Sequence, residues 1–323
     1  MDLAHNALMV LIALAIDALV GDPDRVWRRI AHPVVLIGRG IEALDRKLNR
    51  LDLDESERRR RGVVAITIVA LAALVTGAVI AWTLADVPFG VVAEGAVASV
   101  FLAQKSLYQH VAAVRGAFAA GGLGAARQAV SMIVGRDPKR LDEAGVSRAA
   151  IESLAENFAD GVVAPALWGV VLGLPGIIAY KAINTADSMI GHKTERHLAF
   201  GRAAARLDDY VNLAPARLAG AIVVVAAVLT RRPWRDAWTA MRRDAPLHAS
   251  PNAGWPEAAT GGALGLALGG PRSYGGRLVD DPYMNRDGDP QATPQDIGRA
   301  LRLYLTACAV HAALWAAALV VFI

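Results

Sequence analysis

The sequence predicts an all-α, polytopic integral membrane protein, and three observations indicate this fold class. Hydrophobic residues occupy 54% of the 323 positions, and the mean hydropathy of +0.35 exceeds what a soluble chain of this length normally needs. The apolar residues are concentrated in long runs, and the run 63–85 contains no charged residue. As a helix it rises roughly 34 Å, enough to cross a hydrocarbon core of about 30 Å. We therefore expect about four to six transmembrane or re-entrant helices, with cytoplasmic helical segments, in a single membrane-embedded domain spanning 1–323.

Four runs are predicted to span the membrane. The first, 3–20, follows Met1-Asp2 without a basic start, which favours an uncleaved first helix over a cleaved signal peptide. The run 63–85 is the second. The run 87–103 is interrupted by Glu94, and the run 303–323 contains His311 as its ionisable residue. Both are still long enough to cross as helices.

Three further apolar segments, 162–180, 214–230 and 258–270, are interpreted as uncertain or re-entrant. The first contains Pro165 and Pro175 together with three glycines, which makes a straight helix doubtful. In the second, the uncharged stretch from Leu218 to Thr230 covers only 13 residues, too few to cross without help from flanking arginines. We expect that neither 162–180 nor 214–230 crosses completely.

The basic residues predict the orientation. Eleven lie in 21–62, including the run Arg58 to Arg61, and seven lie in 104–160, whereas none precedes the first helix. Because positively charged loops stay inside, these segments and the site they carry are expected to face the cytoplasm from the cytoplasmic (inner) membrane. Anionic lipid headgroups explain the positive charge beside apolar spans, so membrane lipid is the expected partner and nucleic acid is not. The single Cys308 excludes an intramolecular disulfide and a multi-cysteine metal site.

An acidic stripe is predicted on a helix that begins after Ser147. Glu152, Glu156 and Asp160 recur at four-residue spacing, which drifts only about 40° per step along a helix. Carboxylates on one face suit Mg²⁺, whose octahedron is completed by water and phosphate. A solvated helix face is the alternative explanation, although Asp160 leads directly into an apolar segment.

Two further polar clusters flank the middle apolar segments. The first contains Lys181, Asn184, Asp187, Ser188, His192 and Lys193, and part of it shares one helical face if the helix continues past Tyr180. The second contains Arg202, Arg206, Asp208, Asp209 and Asn212, in which two arginines one helical turn apart suit phosphate and paired acids suit a metal. Lysine snorkelling, asparagine capping or an internal salt-bridge network would explain the same residues structurally.

A fourth cluster runs from His248 to Glu257 and includes Asn252. Pro251 and Pro256 restrict the backbone, which predicts a rigid polar loop that ends in the Glu257 carboxylate. The alternative is a corner at the membrane interface, with Trp255 as its anchor. The chain has no G-x-x-x-x-G-K-[ST] and no strand-associated G-x-G-x-x-G, so the standard nucleotide-binding folds are excluded.

Taken in order, the motifs of the chain resemble the cobinamide-phosphate synthases of cobalamin biosynthesis, the CbiB/CobD family. The resemblance covers most of the chain and rests on these segments: Gly21 to Pro23, His32 to Val34, Ile37-Gly38, Ile133 to Asp137, Ile151 to Gly161, Tyr180 to Met189, Ala204 to Asn212, Pro215 to Leu218 and Ser250 to Ala258.

This resemblance implies an ATP-dependent amide ligase that joins adenosylcobyric acid to (R)-1-amino-2-propanol O-phosphate, giving adenosylcobinamide phosphate. ATP and Mg²⁺ are the implied cofactors, and other membrane enzymes of late cobalamin assembly are candidate partners. On that basis we assign three groups of candidate residues. The catalytic group is Asp187, Lys181, Asp208, Asp209 and Arg206. The cofactor-binding group is Asn157, Asn184, Ser188, His192, Lys193, Asn212, Asn252 and Glu257. The metal-binding group is Glu152, Glu156 and Asp160.

Two other function classes remain open from the sequence. A membrane transporter also places charged residues in broken apolar segments, but transporters of that kind show two related halves, and no duplication is visible here. A non-catalytic membrane sensor would not need four polar clusters.

Overall fold

The computed structural model describes residues 2–134, 138–274, 277–279 and 281–323. It is mostly helical, at 76%. The helices, in chain order, are α1 (Leu3–Leu19), α2 (Asp24–Trp27), α3 (Pro33–Leu48), α4 (Glu55–Leu84), α5 (Gly90–Ser99), α6 (Gln104–Val130), α7 (Glu143–Phe158), α8 (Ala164–Leu172), α9 (Leu174–Ile190), α10 (Arg202–Leu229), α11 (Trp234–Asp244), α12 (Gly254–Leu264) and α13 (Pro294–Phe322).

The structure adds two short antiparallel strand pairs that the all-α prediction did not include. Strand β1 (Leu268–Gly269) pairs with β4 (Tyr283–Met284), and β2 (Arg272–Tyr274) pairs with β3 (Arg277–Val279). The pairs are only two or three residues long, and alternating hydrophobicity cannot predict strands of that length. The protein is therefore helical with a small β element.

Within the described ranges, three helices are long and apolar enough to cross a membrane: α4, α10 and α13, with 30, 28 and 29 residues. Two of them contain the predicted spans 63–85 and 303–323. Along α4, large apolar side chains stay exposed, as suits contact with lipid: Val63, Val64, Ile68, Leu71, Val75, Val79 and Trp82. Helix α1 matches the predicted span 3–20 but has 17 residues, at the short end for a crossing.

The predicted span 87–103 is not a long helix. Only Gly90–Ser99 is α-helical, which is 10 residues, and Glu94 is buried within it, 3.3 Å from His5 Nε2. The helix starts late because Phe89, just before it, has a left-handed backbone with φ 60°. Ten residues rise roughly 15 Å, about half of the hydrocarbon thickness.

The middle segment 162–180 is broken, as the prolines and glycines indicate. A π-helical turn at Ala159–Val163 leads into α8, and Gly173 with φ 70° separates α8 from α9. Segment 258–270 also contains a short helix, the 11-residue α12, which ends at the left-handed Gly265 before β1. Neither segment forms one continuous helix.

Helix α10 is longer than the sequence predicted, because it begins at Arg202 and continues through Pro215. A proline has no N–H, so the carbonyl of Val211, four residues earlier, loses its usual donor. The indole Nε1 of Trp168 donates to that carbonyl at 3.0 Å instead. The 13-residue uncharged stretch is thus the C-terminal part of a longer helix, and α10 has the length and composition of a membrane span.

Contacts between Cα atoms divide the chain into two compact units. The first contains 1–103, 164–212 and 315–323, and the second contains 104–163 and 213–314. The core of the first is formed by buried side chains of α3, α4, α9 and α10 and of the segment before α10: Ile41, Ala65, Ile66, Ile183, Ala186, Ile190, Phe200 and Ala204. In the second unit α7 and α11 pack on α12. That the chain forms a single domain stays a prediction.

Candidate functional site

A buried hydrogen-bonded chain links α9 and α10 in the first unit. The hydroxyl of Tyr180 donates to Asn212 Oδ1 at 2.9 Å, and Asn212 Nδ2 donates to Asp208 Oδ2 at 3.1 Å. Asn184 Nδ2 donates to the other carboxylate oxygen of Asp208 at 3.3 Å. Tyr180, Asp208 and Asn212 are buried. The chain fixes the Asp208 carboxylate and the two amides in one geometry.

Two more carboxylates, Asp187 and Asp209, lie within electrostatic range of Asp208. Burial raises the pKa of the Asp187 carboxyl, the negative charge of Asp209 raises it further, and His192 acts in the opposite direction. A Cβ at position 191 would lie 1.9 Å from Asp187 Oδ1, so Gly191 provides the space that the carboxylate occupies. Three acidic side chains on α9 and α10 therefore influence one another electrostatically, although within the described residues they do not form a three-ligand metal site.

The prediction that Asn184 and Asp187 share one helical face is confirmed, because α9 continues past Tyr180 to Ile190. The hydrogen bond from Asn184 to Asp208 joins this face to the cluster on α10, which the sequence analysis treated as separate. Other members of the candidate set lie around this carboxylate cluster, which we define as Asp187, Asp208 and Asp209. Lys181 is half-buried on α9, and Arg206, Ser188, His192 and Lys193 are exposed. The Ser188 hydroxyl donates to the carbonyl of Asn184 at 3.0 Å.

A second polar network holds the segment 191–201, which carries His192 and Lys193. Arg196 donates to Asp45 on α3 through Nε at 3.1 Å and Nη2 at 2.8 Å. Asn49 donates to Asp45 at 2.7 Å and to the carbonyl of Arg196 at 3.0 Å. Arg58 on α4 donates to Asn49 Oδ1 at 3.1 Å and also hydrogen-bonds the carbonyl of Arg196. This network, which we name the Asp45 network, anchors the segment to α3 and α4.

Sequence reasoning missed Tyr180 and the whole Asp45 network as parts of the site's framework. The hydroxyl of a tyrosine at the end of an apolar helix needs a partner when buried, and this was a usable signal for Tyr180. The Asp45 network had no such signal, since 151 residues separate Asp45 from Arg196 along the chain.

In the second unit, the predicted acidic stripe does not form one face. Glu152 is buried and accepts a hydrogen bond from the backbone N–H of Gly269 at 2.7 Å, while Glu156 is exposed. Asp160 lies in the π-helical turn, where the spacing of an α-helix no longer applies. Asn157 is exposed and donates to the carbonyl of Ser153 at 2.9 Å.

The predicted start of this helix was wrong. Helix α7 begins at Glu143, and the side chain of Asp142 caps it by accepting from the N–H of Gly145. Ser147 is fully buried inside the helix. Among the residues that the structure describes, no group of three or more His, Cys, Asp or Glu side chains is arranged to hold a metal ion. Metal binding by Glu152, Glu156 and Asp160 stays a prediction.

The polar loop predicted at 248–257 ends at Ala253, because α12 begins at Gly254 and carries Glu257 in its first turn. Ser250 Oγ accepts from the N–H groups of Asn252 and Ala253 at 3.2 and 3.3 Å, which caps the chain just before α12. The guanidinium of Arg217 lies 4.5 Å from the ring centre of Trp255. Asn252 and Glu257 are buried. The Gly135, Arg136 and Asp137 part of the family motif lies outside the described residues.

Comparisons with known proteins agree on one family. The model of the CobD/Cbib protein family matches residues 10–304. The chain is 52% identical to the cobalamin biosynthesis protein CobD of Sinorhizobium sp over 308 residues, which is 94% of this chain and 95% of the relative. It is 50% identical to the proteins of that name from Rhodobacter capsulatus, with 94% of each chain covered, and from Brucella suis biovar 1, with 92% of each covered.

Comparison with the solved structures found no match. The family match nevertheless covers nearly the whole chain, and it includes the segments of α9 and α10 that bring the carboxylate cluster together. On these grounds the chain belongs to the CobD/Cbib family of cobalamin biosynthesis.

Proposed function

We propose that this protein is an ATP-dependent ligase that joins the free carboxylate of adenosylcobyric acid to the amine of (R)-1-amino-2-propanol O-phosphate, giving adenosylcobinamide phosphate. Membership of the family implies corrinoid-related substrates. Forming an amide from a carboxylate is unfavourable in water, so the proposed reaction transfers the γ-phosphoryl group of ATP to the carboxylate. The amine nitrogen then attacks the carbonyl carbon, inorganic phosphate leaves, and a base takes the proton from nitrogen.

The observation that carries this proposal is the carboxylate cluster of the first unit. Three carboxylates within electrostatic range of one another, with Asp208 buried and held by two amides, form a negatively charged site. Oxygen ligands of this kind suit Mg²⁺, which would neutralise phosphate charge when bound. We assign Asp208 and Asp209 to the cation and Asp187 to the base, because burial and the charge of Asp209 raise the pKa of Asp187 and favour proton uptake.

Positive side chains at the edge of the cluster suit the phosphate groups of ATP and of the amino alcohol phosphate. Lys193 interacts electrostatically with Asp209, and Arg206 lies one helical turn before Asp209 and Tyr210 on α10. With Lys181 and His192 they supply cations where phosphoryl transfer needs them. Asn184 and Asn212 hold Asp208 in place. The remaining candidates stay predicted contacts to substrate or metal: Asn157, Asn252, Glu257, Glu152, Glu156 and Asp160.

The test is direct. The purified full-length protein is incubated with cobyric acid in its adenosyl form, the amino alcohol phosphate, ATP and Mg²⁺, and the amide product and ADP are quantified by mass spectrometry. We expect product only when all four components are present. Absence of product from protein that is folded and membrane-reconstituted would overturn the ligase assignment.

We also propose that the site faces the cytoplasm from the inner membrane, following the positive-inside distribution of arginines. A single cysteine at Leu198 tests this, since Leu198 is exposed at 57% whereas the neighbouring Ala199 is buried. In a Cys308→Ser background, Leu198→Cys is expected to react with an impermeant thiol reagent only in inside-out vesicles. Labelling in intact cells would overturn the orientation.

A further inference from the structure

Arginine and tryptophan make up most of the exposed surface of α11, whose other exposed residues are Asp236 and Thr239. Trp234, Trp238 and Arg242 are spaced four residues apart and so lie along one side of the helix, Arg235 lies next to Trp234, and Arg231 lies just before the helix. We name this set the Arg–Trp stripe. Trp234 and Trp238 are 42% and 44% exposed, which is unusual for tryptophan beside water.

The rest of the second unit fixes the orientation of the stripe. On the opposite side of α11, Ala237, Ala240 and Met241 are buried, and the helix packs on α12. The approach is close, because a Cβ at Gly262 would lie 2.6 Å from the Cα of Ala237. The Arg–Trp stripe therefore points away from α12.

The arginines of α11 divide into two kinds. Arg243 is engaged by two carboxylates, with Nε 2.7 Å from Asp244 Oδ1 and Nη1 paired with Asp287. By contrast, none of the three arginines of the stripe forms an ion pair with any side chain in the described part of the chain. Arg235 and Arg242 instead lie over the rings of Trp234 and Trp238, at 5.3 and 5.6 Å from the ring centres. Their positive charge is available to an external anion.

The stripe begins where an apolar surface ends. Near its C-terminus α10 exposes Val225, Val228 and Leu229. Arg231 then adopts a left-handed backbone with φ 54°, and Pro233 precedes α11. In a helix of membrane-spanning length, a change from exposed aliphatic residues to arginine and tryptophan is typical of the boundary between hydrocarbon and headgroups.

We propose that α11 lies in the headgroup layer of the membrane and that the Arg–Trp stripe binds the phosphate groups of anionic phospholipids. The indole rings lie at the depth of the glycerol backbone, and each guanidinium engages phosphate oxygens through paired N–H donors. The Arg–Trp stripe shares no residue with the carboxylate cluster, and the lipid proposal does not depend on the ligase proposal.

The test uses the purified full-length protein. Native mass spectrometry is expected to show phosphatidylglycerol retained in preference to phosphatidylcholine. The double variant Arg235→Gln/Arg242→Gln should lower the affinity for phosphatidylglycerol by at least about tenfold, given the contribution of each basic residue at an anionic surface. The control Arg46→Gln/Arg50→Gln removes two exposed charges that are already paired with Glu42 and Asp52, and it should leave that affinity unchanged.

A second measurement distinguishes a lipid surface from a protein partner. In nanodiscs containing lipids brominated close to the glycerol, part of the tryptophan fluorescence is expected to be quenched, and Trp238→Phe should remove a share of that quenching. Equal retention of the two phospholipids, or quenching that Trp234→Phe and Trp238→Phe leave unchanged, would overturn the proposal.

Discussion

Two carboxylates in the first unit, both nearly inaccessible to solvent, are held in opposite ways. Asp45 is surrounded by positive and donor groups: Arg196 lies 2.8 Å from one oxygen, and Asn49 and His197 lie 2.7 and 3.4 Å from the other. Asp208 receives amide hydrogen bonds from two asparagines, and the charged groups that influence it most are the carboxylates of Asp187 and Asp209.

The difference separates a carboxylate that serves the fold from one suited to binding. A buried negative charge is costly unless opposite charge or hydrogen bonds offset it. For Asp45 the chain itself provides the offset, so the arrangement is stable without a ligand. At Asp208 the hydrogen-bond donors are neutral amides and the carboxylates of Asp187 and Asp209 add negative charge, so a cation or cationic substrate would lower the energy of the site. Replacing aspartate by asparagine in the two places should therefore have different consequences.

The largest effect is expected on turnover, at the carboxylate cluster. Asp187→Asn removes a charge that is half-buried and repelled by Asp209, so we expect amide formation to fall about 100-fold or more. The melting temperature in detergent should stay the same or rise, because the change relieves repulsion. The rate of amide formation and the melting temperature are measured on the same preparation.

Tyr210→Phe is the matched control, since Tyr210 is exposed on α10 two residues after Asp208. It should change neither turnover nor melting temperature. A large loss of stability in Asp187→Asn, with turnover retained per folded molecule, would mean that the cluster serves the fold and would remove the distinction from Asp45.

The next effect is expected on stability, at the Asp45 network. Asp45→Asn leaves Arg196 without its charged partner and weakens the bonds that anchor 191–201. A loss of about 2 kcal/mol is expected for a charged hydrogen-bonded pair that is partly exposed. It should lower the melting temperature by about 5 °C. At low temperature, the turnover of Asp45→Asn should fall less than the turnover of Asp187→Asn. A fall as large as that of Asp187→Asn would mean that Asp45 takes part in the reaction.

Sequence patterns predicted the carboxylate cluster better than the network that supports it. Asn184 and Asp187 were identified by helical spacing, and Asp208 and Asp209 as adjacent carboxylates beside arginines, which a local pattern can show, although it did not show that the two groups meet. The Asp45 network joins residues more than a hundred positions apart. No periodicity reports such a contact, and it appears only when α3, α4 and the 191–201 segment are packed together.

The helices show the same limit. The uncharged run 63–85 predicted α4 well, because length and composition alone decide whether a helix can span. The length of helix α10 was not predicted, since only the 13-residue uncharged stretch from Leu218 to Thr230 was considered as a span. Only the structure shows Trp168 donating to the carbonyl that the proline leaves without a partner.

A smaller effect distinguishes Arg58 from its neighbours. Arg58 to Arg61 look equivalent in sequence, yet Arg58 is buried in the Asp45 network and Arg59 is an exposed partner of Glu55 at 2.8 Å. Arg58→Gln should lower the melting temperature by about 3 °C and speed amide hydrogen exchange across 191–201. Arg59→Gln should change neither, since exposed pairs contribute about 0–1 kcal/mol. Equal effects would show that Arg58 does not anchor the segment.

The smallest effect is expected in the pH dependence of stability, where Asp45 and Asp187, a member of the carboxylate cluster, should act with opposite signs. Burial raises the pKa of Asp45, but hydrogen bonds from Asn49 and Arg196 and the charges of Arg196 and His197 lower it by more, so it lies below its usual value. The stability that Asp45 contributes is therefore complete above its unfolded pKa of about 4 and is lost as the pH falls through the folded value.

For Asp187 the pKa is raised, so the folded state holds the proton more tightly than the unfolded state does. Its effect on stability then becomes unfavourable as the pH rises from about 4 through the folded value. Both pH-dependent contributions to stability are measured from melting temperatures over a pH series, taken for the wild type, Asp45→Asn and Asp187→Asn. The melting temperature of Asp45→Asn should lie below that of the wild type by a smaller amount under pH 4, while that of Asp187→Asn should exceed the wild-type value by a growing amount above pH 4. If the melting-temperature differences of Asp45→Asn and Asp187→Asn from the wild type change in the same direction with pH, then Asp45 and Asp187 are not held in opposite ways. Opposite pKa displacements require opposite slopes.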